Sequence, residues 1–454
     1  MTLELLKTKN GGRFGRNLRK EFLFDEKFVN LNHGSFGTYP RAIRDVFHSI
    51  QDGHEARPDD FIRYEYPKRL DESRQAMSKY LNVPTNELVF VQNATTGVNT
   101  VLRNLTFEPT DYILYSATIY GACEKAVAYI TETTPAKAAK IEYTFPVEDD
   151  WLVSAFKAKM EEIEKAGGRV KVAVFDTVVS MPGVRLPFEK LTELCREKGV
   201  LSLVDGAHGV GHVELDLKTL DADFFVSNCH KWLYVPRGCA IFHVPLRNQK
   251  YIRSTLPTSH GFTPKPLPPF GETKNPLPPS NVPKSDFELN FEFIGTIDAS
   301  PYLCIPAALK WRESIGGEDT IREYCWTLVL EGSKRMAELL GTNILDNKTG
   351  TLTKCCMVMV ALPLEAKKMH EIGAQKGLEK GVVGIAVRDW MSRTWIDDYN
   401  TFIQSMFYDG RWWLRMSGQA YLEMADFEWA AKIAKEVCER AEKGEWATKT
   451  KFRL

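Results

Sequence analysis

The chain has 454 residues, 44% hydrophobic and 26% charged, enough for one large and one small domain with a sizeable core. Lys plus Arg and Asp plus Glu are both 59, so the formal net charge is zero, which argues against nucleic acid or an anionic membrane surface as the main partner. No apolar run approaches the ~18–20 residues of a membrane span, the polar N-terminus has no secretory h-region, and nine scattered cysteines without a CxxC suit reduced thiols in the cytoplasm.

Residues 1–30 read as an N-terminal arm, basic and loosely held over 1–20. Residues 28–31 are a short apolar segment ending in NHGSFGTYP. Its glycines Gly34 and Gly37 permit close backbone approach, and Pro40 opens a helix to about residue 51. Residues 67–81 form an amphipathic helix. A strand over 88–91 runs into Asn93-Ala94-Thr95-Thr96-Gly97, which opens a helix. The first N–H groups of that helix are either an anion site or an ordinary capped start. A strand over 112–115 leads to ATIYGACEKA, with Tyr120 at a helix start, and 151–165 is a charged helix.

After a central stretch, 176–232, come a tight turn at Pro236-Arg237-Gly238, a strand in CAIFHV and a proline-rich loop over 263–283. Such a loop is extended and semi-rigid. Helices follow over 301–314 and 319–340, then an apolar run with β character over 352–362. TFIQSMFYDGRWWLRMS holds two strand-like runs about Asp409-Gly410, a two-residue hairpin signal, with Arg415 on the second run. A long helix over 421–444 closes the chain.

The central stretch carries the chemistry. It reads FDTVVSMPG, LPFEKLTELCREKG, VLSLVDGAHGVG and DADFFVSNCHKW. The apolar runs 170–175, 200–204 and 224–226 lack polar alternation and end in polar residues, as parallel strands buried on both faces do. Ligands in open α/β sheets bind beyond the carboxyl ends of such strands. Asp176, Thr177, Ser180, Asp205, His208, Ser227, His230 and Lys231 therefore crowd one crevice. An Asp at one strand end and a Lys at a later one suit pyridoxal phosphate. Its aldehyde forms a Schiff base with a lysine amine, and its ring nitrogen needs a carboxylate partner. Its phosphate needs donors such as Ser227 and His230. Taken singly, the Asp-Gly pair is also a turn and the lysine also surface. Asp205, His208 and His212 are the competing set as metal ligands, although the Gly-broken run GAHGVGH is no regular helix; the reading adopted assigns no metal.

VDGAHG followed by SNCHKW, with LNHGSFG before them and FEFIGTID after, resembles the class V aminotransferase family of fold type I pyridoxal-phosphate enzymes. The likeness runs from about residue 14 to 444 and points to the isopenicillin N epimerase-like branch. Two fungal groups of that branch are most similar: lyases that cleave hercynylcysteine sulfoxide in ergothioneine synthesis, and the pyridoxal-phosphate enzyme of the loline alkaloid pathway. The resemblance implies an α/β fold, with a large cofactor domain over 31–300 on a mostly parallel sheet and a smaller C-terminal α+β domain over 301–454. It implies that Lys231 carries the Schiff base, Asp205 holds the ring nitrogen, and His208 stands near the ring or its phenolic oxygen, where many members carry Gln. It further implies that Tyr120 stacks on the ring and gives a proton, and that Thr95, Thr96, Ser227 and His230 cradle the phosphate. Thr296 would reach the phosphate of a neighbouring subunit, which makes a homodimer with shared active sites. Asn32, His33 and Gly34 would line the substrate site, and Arg415 would hold the substrate α-carboxylate.

The reaction is less legible. In the sulfoxide lyases a cysteine helps remove sulfur; the corresponding stretch here, KAAKIEYTFPVEDD, has Lys140 about where that thiol stands. Cys123 is common to both groups and does not restore the role. The departure favours ring closure on a proline-linked amino acid in alkaloid synthesis, with cleavage of hercynylcysteine sulfoxide as the alternative.

Overall fold

The computed structural model describes residues 12–265, 277–278 and 283–447. A seven-stranded sheet organises it: β1 (Leu88–Val91), β2 (Asp111–Ser116), β3 (Lys137–Ile141), β4 (Arg169–Asp176), β5 (Leu201–Asp205), β6 (Phe224–Asn228) and β7 (Ala240–His243). Their spatial order is β1-β7-β6-β5-β4-β2-β3. From β3 to β6 each neighbouring pair is parallel, while β7 runs antiparallel to both β6 and β1.

The apolar runs form strands because both faces of the sheet are covered. Val172 and Val174 enter one core with Val226, Phe242 and the helices Ala94–Asn104 and Gly121–Thr133. Ala173 and Phe175 enter the other with Val204, Phe225 and the helices Tyr66–Leu81, Asp149–Lys165 and Phe188–Lys198. Residues 172–175 are all fully buried. Burying a large apolar side chain stabilises by about 1.5–3 kcal/mol, so an alternating pattern was never available to these strands.

A second sheet, antiparallel, has the order β9-β10-β8, with β8 (Met357–Ala361), β9 (Gln404–Tyr408) and β10 (Arg411–Ser417). Tyr408 pairs with Arg411 across Asp409 (φ 47) and Gly410 (φ 71), the tight hairpin expected from the Asp-Gly pair. The helices Gly317–Leu340, Ala366–Gln375, Lys380–Tyr399 and Met424–Glu442 surround this sheet. β3 and the helices over 366–399 are not anticipated from the sequence; β3 is a half-exposed edge strand whose KAAKI carries two lysines.

The loose arm is corrected for residues 12–20. Phe14, Leu18 and Phe22 recur every four residues and are all buried, and Gly15 N–H donates to Ala420 O at 2.8 Å. Arg19 pairs with Asp426, so this segment is docked on the C-terminal part of the chain. Residues 1–11 lie outside the described residues, as does most of the proline-rich loop expected over 263–283. All nine cysteines are unpaired and buried. Among the described residues no helix is long and apolar enough to cross a membrane.

Candidate active site

The register of the large sheet sets Asp176 directly opposite Asp205, both at carboxyl ends of adjacent parallel strands. β6 ends beside them and runs into a one-turn helix, Cys229–Trp232, that carries Lys231. Gly37 is pressed against this turn. It has φ 63, and a Cβ there would stand 2.8 Å from Lys231 Cα and overlap the His230 carbonyl.

Lys231 Nζ lies 3.0 Å from His208 Nε2, and the Trp232 indole donates to His208 Nδ1 at 3.0 Å. Burial, reinforced by the Arg415 charge, lowers the lysine pKa to about 8 against the pull of Asp205 and Asp176. A buried amine of this kind is available as a nucleophile near neutral pH. Burial also keeps His208 uncharged.

Asp205 is 2% exposed. Its Oδ1 accepts from Ala207 N–H at 2.9 Å and its Oδ2 from the Cys123 thiol at 3.2 Å. Asp176 Oδ2 has no partner among the described residues. Burial and the neighbouring Asp205 push the Asp176 pKa well above the usual carboxylate range. Burial raises Asp205 as well, so ionising both of these neighbouring carboxyls is disfavoured. Burial, then Asp205, push the Cys123 thiol up as well, so it stays an S–H donor.

Arg415 reaches the same crevice from β10. It is 1% exposed and its acceptors are all neutral: Ser180 O at 2.6 Å, Asn32 Oδ1 at 2.8 Å and Ser35 Oγ at 2.8 Å. Its Nε has no partner among the described residues. Burial draws its pKa down to about 10. Gly183 lies against its stem, where a Cβ would stand 2.8 Å from Cδ.

The other residues predicted from sequence divide. Asn32 is at the site, orienting Arg415. His33 and Gly34 are not at its open face, which corrects the expectation for them. His33 is fully buried behind the lysine turn, bonded to Tyr421 Oη at 2.9 Å and to the Lys231 carbonyl. A Cβ on Gly34 would meet Met357 Sδ at 2.7 Å and the Trp232 ring at 3.3 Å. Thr95 and Thr96 begin the helix over β6; Gly97 allows the approach, since a Cβ there would stand 2.5 Å from Val226. Ala94 N–H donates to Asn228 Oδ1 and Thr96 N–H to Asn93 Oδ1, leaving Thr95 N–H without a partner among the described residues. His230 is tied through Nδ1 to Cys239 O at 2.9 Å, and burial lowers its pKa to about 4. Ser227 is fully buried with Oγ accepting from Val210 N–H, which holds the loop after β5. Tyr120 is half exposed at the start of its helix. Thr296 is exposed and lines a separate apolar cavity with His54, Phe61, Tyr66 and Tyr302, so this chain does not bring it to its own Lys231.

Ser35, Asn228 and the Trp232 indole were not singled out in the sequence. Asn228 and Trp232 had a local signal, since both stand beside Lys231 in SNCHKW, and Ser35 lies in LNHGSFG beside Asn32. The metal alternative is not supported by geometry. His212 Nε2 accepts from Cys356 N–H at 2.6 Å, and the described residues contain no group of three ligands able to hold a metal. The donor set fits pyridoxal phosphate instead: a buried amine with a lowered pKa, a carboxyl pair with an orphaned oxygen, and a helix start with a free N–H.

Residues 62–362 match the family described as aminotransferase class V. A protein of Epichloe uncinata named L-cysteine desulfhydrase-like protein lolT1 is 38% identical over 443 residues, which cover 94% of this chain and 96% of that one. The hercynylcysteine sulfoxide lyase of Schizosaccharomyces pombe is 28% identical over 427 residues, covering 94% and 98%. The solved structure of the cystine C-S lyase C-DES with its product cysteine persulfide shares the fold, with TM-score 0.69 and 17% identity over 90% of this chain and 97% of that one.

Proposed function

Because the chain belongs to the class V aminotransferase family, whose cofactor is pyridoxal phosphate, we propose that it docks the carboxylate of an α-amino acid on Arg415 and remakes a bond at the α-carbon. One observation carries this reading: a fully buried guanidinium beside Lys231 has only neutral acceptors. A buried charge is ordinarily paired, and a planar fork of donors suits a carboxylate. Asn32 and Ser35 hold Arg415 in place. Lys231 is the anchoring amine, and once released it is the base that moves the α-proton. Bound pyridoxal phosphate supplies the electron sink for the pair left at the α-carbon. Asp205 keeps the ring nitrogen charged, and Asp176 shares its proton load. Thr95, Thr96 and His230 hold the phosphate, with His230 taking a proton on Nε2 when an anion stands beside it; Ser227, turned to the other side of β6 toward Val210 N–H, does not join them. Tyr120 covers the ring. Thr296 serves the site of a second copy, so the active assembly is a homodimer, working in a reducing compartment such as the cytoplasm.

For the finer reaction we favour ring closure on a proline-linked amino acid in fungal alkaloid synthesis. The resemblance of LNHGSFG, VDGAHG, SNCHKW and FEFIGTID to the loline-pathway group supports it. So does the absence of an accessible thiol: every cysteine is buried, and Lys140 is paired with Glu124 at 3.1 Å. The second reading is C–S cleavage, favoured by the desulfhydrase and sulfoxide-lyase names of the relatives. Incubation with hercynylcysteine sulfoxide and with L-cysteine, followed by a pyruvate assay, separates the two. Ring closure predicts only background pyruvate; rapid release from either compound overturns it in favour of C–S cleavage.

A further inference from the structure

Trp232 follows the anchoring lysine, is 1% exposed, and does two things with its ring. Its face stacks on His212 with centroids 4.0 Å apart and planes at 28°. Its edge donates to His208 Nδ1 at 3.0 Å. An indole nitrogen can only donate, so Nδ1 is the bare nitrogen of His208. A neutral imidazole then carries its hydrogen on Nε2. That N–H faces Lys231 Nζ at 3.0 Å. An N–H aimed at an amine needs a lone pair there, and an ammonium has none. Stacking on His212 needs only an aromatic ring; the N–H is the additional feature.

We propose that Trp232 is a positioning residue whose indole N–H fixes the tautomer of His208 and thereby favours the neutral form of Lys231 that captures the cofactor. The inference rests on Lys231 being the anchoring amine. The other charged or titratable groups facing Lys231 are Arg415 from β10, Asp205 from β5, Asp176 from β4 and Cys123 from the helix Gly121–Thr133. Those facing His208, besides Lys231, are Arg415, His212 and His230. Arg415 disfavours the ammonium and the two aspartates favour it. With these effects opposed, one hydrogen bond of fixed polarity tips the balance.

The test replaces only the N–H. In Trp232→Phe, His208 is free to move its hydrogen to Nδ1 and offer Nε2 as an acceptor to the ammonium. Covalent capture of added pyridoxal phosphate by the full-length apoprotein, followed against pH by visible absorbance, should shift its midpoint up by about one unit. At pH 7 capture should slow roughly tenfold. In a His208→Leu background the same replacement should add no shift, because no polar group is left between Trp232 and Lys231. An equal shift in both backgrounds shows that Trp232 acts by packing and overturns the proposal, as does no shift at all in the single variant. If Trp232→Phe does not fold, nitrogen NMR of the wild-type apoprotein decides, with the His208 signal assigned by its loss in His208→Gln. Hydrogen on Nε2 supports the proposal and hydrogen on Nδ1 overturns it. Borohydride reduction with peptide mapping checks the premise separately: label on another lysine ends the reading of Lys231 without touching the tautomer result.

Discussion

Two arginines, each 1% exposed, bracket the Lys231 turn and are treated in opposite ways. Arg312, on the inner side, meets the Glu318 carboxylate through Nε and, at 2.7 Å, through Nη2, and donates Nη1 to Trp232 O at 2.8 Å. Tyr80 joins them, donating to Glu318 at 2.9 Å and accepting from Gly211 N–H at 3.2 Å. Burial pulls the Arg312 pKa down, but Glu318 more than offsets it and leaves it above its ordinary value. Arg415, on the open side, has neutral acceptors only, and burial lowers it to about 10. The same fold thus completes one buried ion pair and leaves the other half made. A paired buried cation is a fastening; an unpaired one is a place kept for an anion.

Four substitutions press on that contrast, the largest effect first. Arg312→Ala strands Glu318 and frees the Trp232 carbonyl, and should lower the unfolding free energy by about 3 kcal/mol in urea titrations. The partial exposure of Glu318 keeps the figure at the low end. Gly37→Ala forces a Cβ into the lysine turn at a positive φ and should cost about 2 kcal/mol, with slower cofactor capture. His33 titrates next. Burial lowers its pKa to about 3 from 6.5, so between those values the unfolded chain binds a proton that the folded chain refuses. Stability then falls by about 1.4 kcal/mol for each pH unit below 6.5 on its account. His33→Gln should flatten the pH dependence by that slope in denaturation curves at pH 7, 6 and 5. Ser35→Ala removes one neutral acceptor from Arg415 and should raise KM severalfold, about 1 kcal/mol, with Tm unchanged within error.

Much of this arrangement was legible because local rules place it. Unalternated apolar runs put Asp205 and Lys231 at strand ends, and the Asp-Gly hairpin put Arg415 on a strand. What was not legible depends on which distant segments meet. Asn32 and Arg415 are bonded across 383 positions, and nothing in NHGSFG says that Asn32 faces the crevice while His33 turns behind it. Ser227 and Asn228 alternate along β6, so a one-residue choice decides which side chain caps the helix above; register, not motif, makes it. The docking of residues 12–20 was missed for the same reason. Their apolar spacing was present, but the surface that buries them is some 400 residues away, at Ala420 and Asp426.

The contrast between the two arginines is tested most directly at Arg415. Wild-type holoenzyme and Arg415→Met are titrated with L-alanine and with ethylamine, its carboxylate-free counterpart, and binding is read from the visible band. The account predicts that wild type binds the amino acid on the order of a hundredfold more tightly than the amine, as expected for a buried charge-assisted pair of about 3 kcal/mol. Arg415→Met should lose most of that preference while keeping its affinity for the amine. An Arg415→Met protein that still prefers the amino acid by the wild-type factor would contradict the assignment of Arg415 to the substrate carboxylate.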